Sequence, residues 1–183
     1  MSGKRLGALV LISMVGLLSA CQAVVPGEST GKCRAYVRRL LIDVETLPEG
    51  WSAGQPEEND VHSGGAREHC LLPFEVSNGE AFEEIYEYGS EDEATSGYER
   101  LLAIFSYKGP LTFPAPEIAT PAADEAHLAC ATMAVGTSMC QFLARYGVYV
   151  VHFNAHVGPE IMTDAGFERA VQAIDGKMAR RSN

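Results

Sequence analysis

Apolar and polar residues alternate with period two over two stretches of the C-terminal half, Ser138 to Arg145 and Val148 to Val157. That period marks strands with one buried face. Phe82 to Tyr88 alternates too, with Phe82, Tyr86 and Tyr88 on one side, and Cys70 to Val76 is apolar enough for a strand despite Pro73. Two stretches have the helical period instead. Ala94, Tyr98, Leu101, Leu102 and Phe105 form one stripe, introduced by Ser90-Glu91-Asp92-Glu93, which has the spacing of a capping box. Gly109-Pro110 is the stop signal for that helix. Phe167, Ala170, Val171, Ile174 and Met178 form a second stripe after Thr163, and Lys177, Arg180 and Arg181 sit at its C-terminal end, where the helix dipole favours cations. Tyr36, Val37, Leu40 and Leu41 fit one face of a short helix. Leu47-Pro48-Glu49-Gly50-Trp51 reads as a turn that delivers the only Trp. Ser52 to Arg67 reads as a polar loop, and Leu111 to Pro121 as an extended, proline-rich connector.

The strand pattern predicts registers. A tight turn at Tyr146-Gly147 pairs Ala144 with Tyr149, Phe142 with Val151 and Cys140 with Phe153, and all six then face one side. On the preceding strand Leu128, Cys130 and Thr132 share a side, and a loop from Met133 to Thr137 puts Cys130 opposite Cys140. Opposed residues of an antiparallel pair lie about 4.5–5.5 Å apart at Cα, within disulfide range. Cys33 is then left to pair with Cys70. The loop-entropy estimate is about 3 kcal/mol for Cys130–Cys140 and about 4 kcal/mol for Cys33–Cys70. The predicted class is α+β: an antiparallel sheet including a three-strand meander, helices packed on one face, and two disulfides. In element order and in the two-bridge pattern the chain resembles the two-layer sensor-type and PsbP-like modules of exported proteins, a resemblance that carries no site residues with it.

The N-terminus changes the picture. Lys4 and Arg5 precede an uncharged, mostly apolar run from Leu6 to Leu18, followed by Leu18-Ser19-Ala20-Cys21. This resembles the signal peptide and lipobox of bacterial lipoprotein precursors. The resemblance implies lipidation (palmitate among the acyl groups) of the Cys21 thiol and cleavage before it. Residues 1–20 are then the signal peptide, 21–32 a lipidated flexible tether rich in Gly, Pro and Ser, and 33–183 a single domain. The uncharged stretch runs on to Val25, long enough for an uncleaved anchor, but an anchor has no need of Cys at that place. Either reading puts the domain outside the cytoplasm. In a cell with two membranes, Gln22 after the lipidated Cys implies the outer one.

Removing 20 leader residues from 183 leaves 163, enough for one domain with a real core. Lys4 and Arg5 go with the leader, so the formal net charge of −10 becomes −12. That balance excludes nucleic acid as a partner and argues against broad contact with anionic lipid. The expected partners are the membrane, through the lipid on Cys21, and an envelope protein or small ligand.

Candidate chemistry is sparse. There is no Gly-x-Ser-x-Gly elbow, no His-Glu-x-x-His and no Cys-x-x-Cys. Bridged cysteines leave no thiolate for catalysis. No cofactor and no metal site are predicted. His152 and His156 are separated by about 13 Å of strand, too far for one ion. The acidic clusters at Glu57 to Asp60 and Glu91 to Glu93 lack a calcium-loop spacing. The informative feature is the sheet face opposite the helices. By the predicted registers it carries Gln141 beside His152, with Asn154 and His127 in neighbouring rows. The alternative to an open face is that Trp51 and the neighbouring loop cover it, and a lone Trp is more often a core or lid residue than a ligand platform. That face is too apolar for open solvent and too polar for a sealed core, which suits a pocket wall or partner surface. The reading is a membrane-tethered, non-catalytic binding module contacting its ligand through Gln141, His152, Asn154, His127 and Trp51. The alternative is an envelope enzyme or metal-handling protein using the His127/His152 face.

Overall fold

A computed structural model describes residues 33–58, 64–106, 117–132 and 136–181. The predicted signal peptide, Cys21, the predicted tether, the Gly109-Pro110 stop and most of the proline-rich connector lie outside these. After α1 (Ala35–Arg38) and a 3-10 turn at Val44–Thr46 come two short strands, β1 (Ser52–Ala53) and β2 (Glu57–Glu58). Then follow β3 (Glu68–Glu75), β4 (Gly79–Glu87), α2 (Glu91–Ser106), β5 (Glu125–Thr132), β6 (Ser138–Tyr146), β7 (Tyr149–Val157) and α3 (Asp164–Arg181). The strands make one antiparallel sheet in the order β1-β3-β4-β7-β6-β5, with β2 also pairing β3. This is the α+β class predicted, with the three-strand meander β5-β6-β7 in place. The stretch read as a polar loop contributes β1 and β2, each only two residues long.

Both predicted disulfides are present. Cys130 pairs directly with Cys140 across β5 and β6, at 4.1 Å between Cα atoms. Cys33 is bonded to Cys70, 5.3 Å apart at Cα, and so pins the start of α1 to β3. The β6–β7 turn is one residue later than predicted. Gly147 takes φ +59 at the first central position, with Val148 at the second, the arrangement in which glycine opens a two-residue hairpin. Tyr146 therefore opposes Tyr149, Phe142 opposes Phe153, and Cys140 opposes Ala155. A shift of two in partner leaves every side chain on its predicted face.

The helices divide between the two faces of the sheet instead of sharing one. The α3 stripe, Phe167, Ala170, Val171, Ile174 and Met178, is buried against Ile85, Phe142, Val151 and Phe153. On the opposite face Ala94, Tyr98 and Leu101 of α2 pack on Tyr86, Tyr88, Leu143 and Val150. The reason lies in β4: Tyr86 and Tyr88 carry their rings to the second face and need a cover. A Cβ on Gly97 would fall 2.2 Å from the Tyr88 ring, so glycine there lets α2 settle on it. The capping box holds α2 at its start, with the Glu93 amide donating to Ser90 Oγ at 3.2 Å and the Glu93 carboxylate accepting from the Gly89 amide at 2.8 Å. Both cores are built from residues within 33–181. No helix among the described residues is long and apolar enough to cross a membrane.

Candidate functional site

The α2 face of the sheet holds the cluster that stands out chemically. The registers lay it out in rows. Leu71, Glu84, His152, Leu143 and His127 run across β3, β4, β7, β6 and β5. On one side of that row lie His69, Tyr86 and Val150, and on the other Pro73, Phe82, Asn154, Gln141 and Ala129.

Glu84 is the centre. One carboxylate oxygen, Oε1, lies 3.1 Å from His69 Nε2, and the other, Oε2, lies 3.0 Å from His152 Nδ1. Glu84 is 5% exposed and His152 fully buried. The rings are fixed by packing as well: Tyr86 stacks on His69 at 4.2 Å, and Phe82 meets His152 edge-on at 5.3 Å. Burial alone would push the Glu84 carboxyl up. The hydrogen bonds and positive charge of His152 and His69 outweigh it and hold the group at about 2. Burial drives the Tyr86 phenol far up, with the Glu84 charge adding to it.

Glu83, the next residue, points to the α3 face between Leu72 and Phe153 and is fully buried. Its Oε2 accepts from the Ile42 amide at 2.7 Å. Desolvation dominates there, and the carboxyl is pushed up to about 8. Two adjacent carboxyls are thus held in opposite protonation states by the two faces of one strand.

The predicted site residues fall into three groups. Gln141 and Asn154 are directly opposed on β6 and β7 and both are buried. Gln141 Nε2 makes a long contact to Met139 Sδ at 3.6 Å, and Asn154 Oδ1 has no hydrogen-bond partner among the described residues. His152 does not neighbour Gln141 as predicted; the later turn sets it opposite Leu143 and Glu84. His127 is half-buried on the far side of Leu143 from His152. Two strand spacings separate these histidines, about 10 Å between backbones, with Leu143 between them. Trp51 does not cover this face. It is buried in the α3-side core, 5.9 Å from the Phe74 ring, and borders a separate cleft of about 500 Å³ with Glu49, Glu160 and Arg169.

The sequence reading misses Glu84 and His69. The signal was available, because Glu84 shares a side with Phe82, Tyr86 and Tyr88 in the β4 alternation. Its pairing with β7, which brings His152 to it, was not readable from period alone.

No family model matches the sequence, and no curated protein matches it. Among solved structures, the chain is similar to the extracellular domain of PknH from Mycobacterium tuberculosis, with a TM-score of 0.49 and 11% sequence identity over 79% of this chain and 93% of that one.

Proposed function

We propose that this chain is an extracytoplasmic lipoprotein, tethered through Cys21, whose domain is a non-catalytic binding module. Its ligand-facing groups are the carboxamides of Gln141 and Asn154, with half-buried His127 at the margin. His152 stands on the same face in the next row, fixed by Glu84. The observation that carries the reading is Asn154: a carbonyl oxygen buried beside a second carboxamide, with no partner among the described residues. A buried amide group left without a partner costs about 1–3 kcal/mol, which a ligand donor would recover. The two disulfides support export, since such bridges persist in oxidising compartments.

The test has two arms. Palmitate labelling of producing cells is expected to mark the wild-type chain and not Cys21→Ser; label on the variant contradicts the tether. For the site, ligands are sought by the rise in melting temperature that binding to the folded state alone produces. Asn154→Ala and Gln141→Ala are expected to abolish the rise while melting close to wild type. A rise that survives both variants refutes the site. Stoichiometric transition metal in the purified protein would favour the metal-handling reading instead.

A further inference from the structure

A groove of about 570 Å³ lies between α1, the segment that follows it, and the β1–β3 edge of the sheet. Its lining divides by chemistry. Ala35, Ala53 and Pro56 supply apolar surface over a floor of nearly buried Leu41, Ile42 and Leu72, while Arg38, Arg39 and Lys177 supply three cations. Asp43 is the single acid on the lining, and it is taken up by Lys177 at 2.8 Å. Arg38 and Arg39 are exposed and make no ion pair among the described residues. In a chain of formal net charge −10, two free guanidiniums over an apolar floor are a local reversal of the surface.

The walls are fixed. The Cys33–Cys70 bridge ties the start of α1 to β3. The Lys177 ammonium donates to the Leu41 carbonyl, tying α3 to the segment after α1, and the Ile42 amide is held from below by Glu83. The volume falls in the range of small-molecule sites, roughly 300–1,000 Å³.

We infer that this groove binds an amphipathic anion, a phosphate or carboxylate carried on an apolar chain. A guanidinium presents a planar fork matched to two oxygens of such a head group. A small inorganic anion would leave the apolar lining of Ala35, Ala53 and Pro56 in water. A neutral hydrocarbon would crowd Arg38 and Arg39 without compensating their charge. An amphiphile with one anionic end meets both requirements. The inference uses neither the Gln141–Asn154 pair nor the lipid on Cys21.

The experiment is calorimetric titration of the oxidised chain from Gln22 onward, since both cores and both bridges lie within residues 33–181. The probes are octyl phosphate and octanoate below their micelle concentrations, with octanol and inorganic phosphate as controls. Both anions are expected to saturate a single site, with the controls at least about tenfold weaker. Arg38→Glu combined with Arg39→Glu is expected to weaken octyl phosphate by about tenfold or more at unchanged melting temperature, while Arg169→Glu, in the other cleft, changes nothing. Incubation with phosphatidylglycerol vesicles separates the sources. Lipid recovered on the re-isolated chain identifies a membrane lipid, and octyl phosphate binding without lipid transfer identifies a free amphiphile; either supports the site. Absence of saturable binding by both anions overturns the inference, as does octanol binding equally well or affinity surviving the double variant.

Discussion

The two faces of β4 and β7 solve the same burial problem in opposite ways. On the α3 side Ile85, Val151, Phe153 and Phe142 exclude water, and the fully buried Glu83 among them is pushed toward its neutral form. On the α2 side the next residue, Glu84, is nearly as buried yet stays ionised, because two imidazoles meet its two oxygens. Depth is therefore not what decides protonation here. The number of hydrogen-bond partners decides, and a strand's alternation delivers adjacent residues to different supplies of them. The contrast also separates roles. The α3 face is mostly apolar core. The α2 face holds a buried ion cluster, and replacing such a cluster by well-packed apolar residues is often neutral or stabilising. Stability alone gives little reason to keep it, which agrees with a binding role for the carboxamides beside it.

The largest effects should come from breaking each face at its centre. Phe142→Ala is expected to cost about 3–5 kcal/mol through the cavity it opens. His152→Ala is expected to cost a similar amount for a different reason, since it leaves a buried carboxylate with half its partners, about 3–5 kcal/mol. Denaturant unfolding measures both. A His152→Ala cost below half a kcal/mol would mean that Glu84 is not ionised in the fold.

Glu83→Gln sharpens the comparison and works in the other direction. The folded value of Glu83 lies above its ordinary 4.5, so the folded chain holds an extra proton from about pH 4.5 to about 8, and stability falls as pH rises through that window. Glutamine removes the dependence. The variant should be more stable than wild type by about 3 kcal/mol at pH 7, and the gain should vanish as pH falls toward 4.5. Glu84 has the opposite sign. Its stabilising contribution is present above about 4.5 and is lost as pH falls toward about 2. Together the two place the stability maximum near pH 4.5. Melting curves across pH for wild type and Glu83→Gln test this, and parallel curves would contradict it.

The smallest effect is the functional one. Asn154→Ala removes a carbonyl with no partner among the described residues and should change stability by about 1 kcal/mol or less, despite the burial of the residue. A cost matching that of His152→Ala would make Asn154 part of the fold's hydrogen-bond network and remove it from the site.

Much of this fold is legible in the sequence because local signals agree. The capping box at Ser90, the stripe from Phe167 to Met178 and the alternation of Ser138 to Val157 each fix an element, and Cys130 opposite Cys140 fixes a register. The one-residue error at the β6–β7 turn arises because Tyr146-Gly147 and Gly147-Val148 preserve the same faces, so the hydrophobic pattern cannot choose between them. The position of α2 was missed because amphipathic stripes say that a helix needs a face, without saying which. The ion cluster was least legible. Glu84 meets His152 through β4–β7 pairing, across a separation of 68 residues that no local pattern encodes. Trp51 is a core residue, as a lone Trp most often is, but the face it joins was not legible: the β1 pairing of Ser52 and Ala53 with β3 carries it to the α3 side.

The most direct test of the contrast is carbon NMR of the glutamate side-chain carboxyls, with Glu83 and Glu84 assigned by their Gln variants. The account predicts that the Glu84 resonance already has its ionised position at pH 4 and moves only as the pH approaches about 2, while Glu83 stays protonated through pH 6 and titrates near 8. Coincident titration of both carboxyls near the ordinary value of 4.5 would contradict it.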